Sequence, residues 1–225
     1  MNMVKITNNL ISLSKAISKY CVGMEGNISG KIDGNSFLIK ASGQNLSNLK
    51  EDGLVEFSMD GIQLNNPDKK GSMELTFHTF LLGFEDINYI SHTHPTNTLK
   101  ILCTNYANDF ANKRLFPDQV VFNGVKACLV PYAKPGEKLT ELIKQHINWF
   151  IEEEKYFPKL ILLKNHGIIA CGNSINECII ATDICEKAAK IFIGGIGLGD
   201  IHFLSDKEIN DLIIDDNEKY RKNLL

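Results

Sequence analysis

The sequence predicts a layered α/β protein built on a largely antiparallel sheet. Amphipathic helical stretches stand at the start of the chain and through its second half, with short strand-like runs between them. The glycine–helix–strand alternation of a doubly wound nucleotide fold is missing, as is any G-x-G-x-x-G run.

Taken in order, residues 6–21 read as a helix, because Ile6, Leu10, Leu13, Ile17 and Tyr20 recur at spacings of three and four. After Gly23 the pattern changes to short strands at 36–41, 54–58 and 61–64, with Asp60-Gly61 marking a hairpin turn. Residues 73–83 return to helix, with Ser72 in the N-cap position after Gly71. Residues 86–94 read as a strand, and 120–130 as a second strand region broken near Asn123-Gly124. An amphipathic helix is expected over 136–154. Short apolar strands at 160–164 and 168–171 flank Asn165-His166-Gly167. A helix of about twenty residues follows, opened by Ser174 pairing with Glu177 and stopped by Gly194-Gly195. A last amphipathic helix begins near Ser205.

With 225 residues, 44% hydrophobic and 23% charged, the chain has the makings of one domain over 1–225 with a substantial core. A formal net charge of -3 gives no electrostatic case for nucleic acid or for an anionic membrane. No apolar run is long enough to span a bilayer, and the first twenty residues lack the pattern of a secretory signal. Cys21, Cys103, Cys128, Cys171, Cys178 and Cys185 are scattered with no C-x-x-C pair, which fits buried, reduced thiols in a cytoplasmic protein.

The segment Ser91-His92-Thr93-His94-Pro95 carries the strongest chemical signal. Side chains alternate faces along a strand, so His92 and His94 project the same way and can share a metal at about 2.0–2.1 Å each. Pro95 then ends the strand, leaving the pair at its tip. His166, in its tight turn beside Gly167, is either a further ligand or a turn residue bonded to its own backbone. Three neutral imidazoles with one open position is the pattern of a catalytic metal site.

Glu74, in the first turn of the helix opened by Ser72, is either a solvated carboxylate favoured by the helix dipole or a general base. His78 shares its face one turn later and either holds Glu74 in place or is an ordinary half-buried histidine. Gly26-Asn27-Ile28-Ser29-Gly30, Ser42-Gly43 and Gly71-Ser72 read as polar loops, either plain turns between strands or an anion cradle of backbone N–H groups. His146 and His202 read as structural or solvent-exposed.

Six segments, GNISGK (26–31), ASG (41–43), SMELTFH (72–78), HTHP (92–95), LLKNHGIIACG (162–172) and LSDKEI (204–209), occur in one order and register. Together they make the chain, from about residue 9 to 212, similar to the class II aldolase/adducin family, typified by L-fuculose-1-phosphate aldolase. The resemblance implies a three-layer α/β/α fold with a central antiparallel sheet. It implies that His92, His94 and His166 ligate zinc or another divalent transition metal. Glu74 then matches the catalytic acid/base, and Gly26, Asn27, Ser42, Gly43 and Ser72 match the loops that hold the substrate phosphate. It further implies a homotetramer with active sites at subunit junctions.

The activity so implied is an aldehyde-lyase reaction, the reversible retro-aldol cleavage of a fuculose- or rhamnulose-phosphate-like ketose 1-phosphate to dihydroxyacetone phosphate and an aldehyde. Sugar-phosphate 4-epimerases, a dehydratase and decarboxylases of the family are alternatives, as is a non-catalytic adducin-like binding module. Two positions depart from the aldolase pattern. Met73 replaces a second serine before the glutamate. The stretch LFPDQVVFNG (115–124) has no tyrosine where the fuculose-phosphate aldolase supplies a proton donor from a neighbouring subunit; Asp118 and Gln119 are the candidate replacements there.

Overall fold

The computed structural model describes residues 2–223. Among them, seven strands form one sheet: β1 (Asn27–Lys31), β2 (Ser36–Lys40), β3 (Leu54–Ser58), β4 (Tyr89–Thr93), β5 (Cys128–Val130), β6 (Leu160–Leu163) and β7 (Gly167–Gly172), in spatial order β3-β2-β1-β4-β7-β6-β5. Every neighbouring pair is antiparallel except β5 with β6, which is parallel. The sheet therefore has the largely antiparallel character the sequence predicts.

β4 lies at the centre, with Asn27 of β1 opposite His92 on one side and Ile169 of β7 opposite it on the other. Its side chains alternate between two cores. Tyr89 joins the cluster beneath α1 (Met3–Ile17) and α7 (Ile175–Ile196), built from Ile6, Leu10, Leu13, Ala181, Cys185 and Phe192. Ile90 joins the cluster beneath α2 (Leu75–Leu82) and α6 (Glu137–Glu154), built from Phe77, Leu81, Ile143, Ile147 and Phe150. Helices thus cover both faces, and β6 (Leu-Ile-Leu-Leu) reads as a continuous apolar run because both of its faces are buried. Phe77 is fully buried, so its truncation to alanine removes about 3–5 kcal/mol of stability.

Several elements differ from the sequence expectation. The first helix starts at Met3, where Asn2 accepts the Val4 N–H, and it ends at Ile17 in a 3-10 turn over Ser18–Tyr20. The polar loop expected at 26–30 is, from Asn27 on, an internal strand of the sheet whose Asn27 and Ser29 are buried and satisfied by side chains of α2 and its approach. The expected strand at 61–64 is a single bridge between Phe57 and Gln63. The expected strand over 120–130 is first a helix, α5 (Pro117–Asn123), and only then β5. Pro117 at the first helical position and Gly124 at φ +82° bound that helix, overriding the β-branched pair Val120-Val121.

The expected helix at 73–83 spans Leu75–Leu82, and the strand at 86–94 spans Tyr89–Thr93. Gly194-Gly195 does not stop α7, which runs to Ile196. Ser174 and Ser205 cap α7 and α8 (Asp206–Ile214), and Ser205 with Glu208 completes a capping box. Short helices α3 (Thr96–Leu102), α4 (Ala107–Asn112) and α9 (Asp216–Asn223) complete the chain. Cys128, Cys171, Cys178 and Cys185 are buried, whereas Cys21 is half-buried and Cys103 exposed; all six are free thiols. No helix among the described residues is long and apolar enough to cross a membrane.

Candidate active site

The alternation of β4 sends His92 to the α2 face of the sheet, at the strand's end. Its Nδ1 donates to the Ile168 carbonyl at 2.9 Å, which fixes the ring and leaves Nε2 bare. His94 follows just beyond the strand, its backbone N–H donating to Tyr20 O at 3.2 Å, and its Nε2 lies 3.0 Å from His92 Nε2. His166 occupies the turn between β6 and β7. Asn165 takes the left-handed conformation there at φ +57°, and the His166 N–H donates to Leu163 O at 3.2 Å. One ligand atom from each of the three histidines lies within 4.8 Å of the others.

Glu74 stands over this trio. It is not in the first helical turn but at the N-cap of α2, and Ser72 Oγ accepts the Glu74 N–H at 3.2 Å. Glu74 Oε2 is 3.4 Å from His92 Nε2, and Oε1 is 3.5 Å from His166 Nε2. Burial holds the His92 pKa down to about 3, with His94 adding to the shift. Burial together with His92 holds His166 down to about 4. Both rings are therefore neutral at physiological pH.

The donor set fits a divalent cation. Bare imidazole nitrogens converge with a carboxylate whose Oε1 is buried and has no hydrogen-bond donor, and His92 and His94 turn their Nε2 atoms toward each other. Glu25 backs the group from outside: its Oε2 lies 3.5 Å from His94 Nδ1 and accepts the Val22 N–H at 2.9 Å.

The segments expected to cradle a phosphate approach Glu74 through Asn27, Ser72 and the 41–71 bridge. Gly26 has φ +71°, and a Cβ there would meet Cys21 Sγ at 2.6 Å and His92 O at 2.7 Å, so only glycine fits. Asn27 is buried on β1, and its Nδ2 donates to Glu74 Oε2 at 2.7 Å and to Ser72 Oγ at 3.3 Å. A bridge between Ala41 and Gly71 brings the 41–43 turn against Ser72. The Ser42 N–H is committed to Lys70 O at 2.8 Å, so Ser42 offers its hydroxyl. Gly43 has φ +79°, where a Cβ would meet Met24 Sδ at 4.0 Å, and Met73 is 78% exposed.

Lys40 is the residue that sequence reasoning missed. It closes the apolar run of β2 just before Ala-Ser-Gly, is only 3% exposed, and donates from Nζ to Gln44 O at 2.7 Å and Met24 O at 3.4 Å. Burial lowers its pKa, with Cys21 and Glu74 opposing that shift. A lysine at the inner end of an apolar strand is the signal that was available. His78 is fully buried rather than half-buried, and hydrogen-bonds Ser29 and Asn27.

Asp118 and Gln119 lie in none of these contacts. Asp118 pairs with Arg221 at 2.9 Å and faces Lys187 at 3.9 Å, while Gln119 Oε1 accepts the Leu115 N–H at 2.8 Å. His146 is half-buried on α6 and His202 exposed, and neither joins the imidazole group.

Fold and site together define an enzyme architecture in which a strand-end imidazole cluster is overlooked by a carboxylate. The chain belongs to the class II aldolase and adducin family: residues 11–193 match the Class II Aldolase and Adducin N-terminal domain. It is 31% identical over 197 residues to the 3-oxo-tetronate 4-phosphate decarboxylase of Escherichia coli, covering 86% of this chain and 87% of that one. It is 29% identical over 192 residues to the L-fuculose phosphate aldolase of Methanococcus maripaludis, covering 85% and 94%. Among solved structures, an L-fuculose 1-phosphate aldolase superposes with a TM-score of 0.80 at 21% identity, covering 98% of each chain.

Proposed function

We propose that the protein is a metal-dependent carbon–carbon lyase that cleaves a phosphorylated ketose or 3-keto acid and releases dihydroxyacetone phosphate. The observation that carries this reading is the placement of Glu74, with its unpartnered Oε1, against the neutral imidazoles of His92, His94 and His166. A divalent cation held by these three rings, zinc by ligand preference, supplies Lewis-acid polarisation of the substrate carbonyl and charge compensation as cleavage proceeds.

Glu74 delivers the proton to the carbon that has lost its bond, closing the enediolate to the ketone, and takes a new proton from solvent. Gly26, Gly43, Ser42 and Ser72 border the place for the phosphate, and Lys40 adds a buried positive charge behind it. Asn27 serves Glu74 and Ser72 rather than the anion directly.

Both related activities pass through the same enediolate and differ in what leaves. In a retro-aldol step the departing carbon's hydroxyl must give up its proton to a base. In decarboxylation the carboxylate leaves as CO2, its bonding pair going to the enediolate, and no hydroxyl proton is removed. The 115–124 stretch has no tyrosine, and Asp118 and Gln119 are engaged elsewhere, so decarboxylation of a 3-keto acid 4-phosphate is the first reading. Retro-aldol cleavage of a ketose 1-phosphate is the second, supported by the Methanococcus relative. The full set of ligands and acid/base opposes a non-catalytic module. A cytoplasmic homotetramer with sites between subunits accompanies this reading, supported by the free thiols and by the exposed Met24 and Met73 beside the site loops.

The test is to give the zinc-loaded protein fuculose, rhamnulose and ribulose phosphates and a 3-keto acid 4-phosphate. Dihydroxyacetone phosphate with CO2, or with an aldehyde, is the expected outcome and selects between the two. No triose phosphate from any of them would overturn the proposal.

A further inference from the structure

His78 ligates nothing in the imidazole group, yet it lies fully buried at the far end of a side-chain hydrogen-bond chain that terminates on Glu74. Each link has one direction. An ionised carboxylate only accepts, so the Asn27 amide turns Nδ2 toward Glu74 Oε2, at 2.7 Å. Asn27 Oδ1 then faces His78 Nε2 in a short contact, and that nitrogen carries the ring proton. Burial holds the His78 pKa well below 6.5, so the ring is neutral and Nδ1 is bare. That nitrogen accepts the Ser29 hydroxyl proton at 2.7 Å.

We propose that His78 is a positioning residue: by donating to Asn27 Oδ1 it holds the Asn27 amide against Glu74 Oε2 and leaves Glu74 Oε1 as the oxygen that carries the proton in turnover. The inference rests on the reading of Glu74 as the group that moves a proton.

The two carboxylate oxygens are unlike in their surroundings. Oε2 accepts from Asn27, whereas Oε1 is buried without a donor and lies 3.5 Å from His166 Nε2. Protonating Oε2 would take charge from the oxygen that accepts the Asn27 amide and weaken a bond held in place by His78. Protonating Oε1 disturbs none of these bonds. The chain also ties two elements together. Ser29 and Asn27 belong to β1, with Asn27 opposite His92, while His78 sits on α2 one turn beyond Glu74. Glu74 is thereby held in register with the strand that carries the first histidine. The Phe77 ring stacks on His78 at 4.6 Å and meets His92 edge-on at 5.9 Å, packing the relay against the same strand.

Two measurements test this, one of them independent of turnover. Neutron diffraction of the full chain after exchange into D2O should place deuterium on His78 Nε2 and none on Nδ1, with the Asn27 ND2 group facing Glu74. Deuterium on His78 Nδ1 would overturn the relay whatever the protein catalyses. The second measurement follows solvent deuterium entering dihydroxyacetone phosphate, a partial reaction that needs no leaving group. In H78L the maximal exchange rate should fall about 100-fold, with KM changed by less than about threefold. H78Q, whose amide can donate from the Nε2 position, should return to within about tenfold of wild type. Wild-type exchange by H78L, or equal losses in H78L and H78Q at equal thermal stability, would remove His78 from this role. Failure of the wild type itself to exchange would instead count against the lyase reading.

Discussion

Gly167 lies directly against the ring of His94: a Cβ at residue 167 would sit 2.5 Å from His94 Cδ2 and 2.5 Å from Thr93 O. This glycine is therefore required for space, not for an unusual backbone angle, since its φ is not positive. Gly167→Ala should leave the sheet folded and displace His94. Metal affinity should fall about 10–100-fold with little change in far-UV circular dichroism. Wild-type affinity by metal titration would show that the ring has room to move.

Glu74→Gln keeps the shape of the side chain and removes its proton chemistry. The variant should retain stoichiometric metal while turnover falls by about 10²–10⁴-fold. Full activity in that variant would assign the proton transfer to another group.

His166→Ala removes one of the converging nitrogens and should lose metal and activity together. Metal content measured by elemental analysis after desalting decides the point, and an unchanged stoichiometry would exclude His166 from the centre.

The buried imidazoles make the metal-free protein acid-sensitive in a defined window. His92 and His78 stay neutral in the fold, whereas in the unfolded chain a histidine protonates below about 6.5. The unfolded state then binds more protons, so stability rises with pH up to that value and is lost as pH falls below it, toward about 3 for His92. Between pH 7 and pH 5 His92 alone should cost about 2 kcal/mol, with His78 adding in the same direction. Urea midpoints of the metal-free protein at the two pH values measure this, and equal midpoints would contradict it.

Glu186 of α7 accepts from the Asn97 and Thr98 N–H groups and from their side chains at 2.8–3.0 Å, capping α3 immediately after the HTHP segment. Glu186→Ala should lower stability by about 2 kcal/mol and weaken metal binding by loosening the exit from His94. An unaltered melting temperature would refute the cap.

The shared direction of His92 and His94 was legible in the sequence because period-2 alternation is a local signal, whereas His166 and Glu74 stayed open on their own segments and were joined to the pair by the family resemblance. The strands at 54–58 and 160–164 and the cap at Ser174 were legible from equally local patterns, whereas Ser72, expected as the N-cap of α2, yields that position to Glu74. What was hidden depended on distant partners. Asn27 and Ser29 look like loop residues until His78, some fifty positions away, satisfies them in the core. Lys40 looks like a strand-end surface lysine until two loop carbonyls close on it. At 117–123 the local evidence pointed in two directions, Val120-Val121 toward strand and Pro117 toward helix, and packing of α5 on α7 accompanies the helical outcome.

α7 touches nearly every part that holds the site. Within less than three turns its Cys178 reaches Tyr89 O, Ala181 O receives Asn123, Asp183 receives the Tyr20 hydroxyl, and Glu186 caps α3. Together these attachments fix how the helix is rotated about its axis. Changing one of them loosens one support. Inserting a single residue before Cys178 would turn all four by about 100° and detach them at once. The helix can accept substitutions along its length, but its residue count between Ser174 and Glu186 is fixed by the site it never touches.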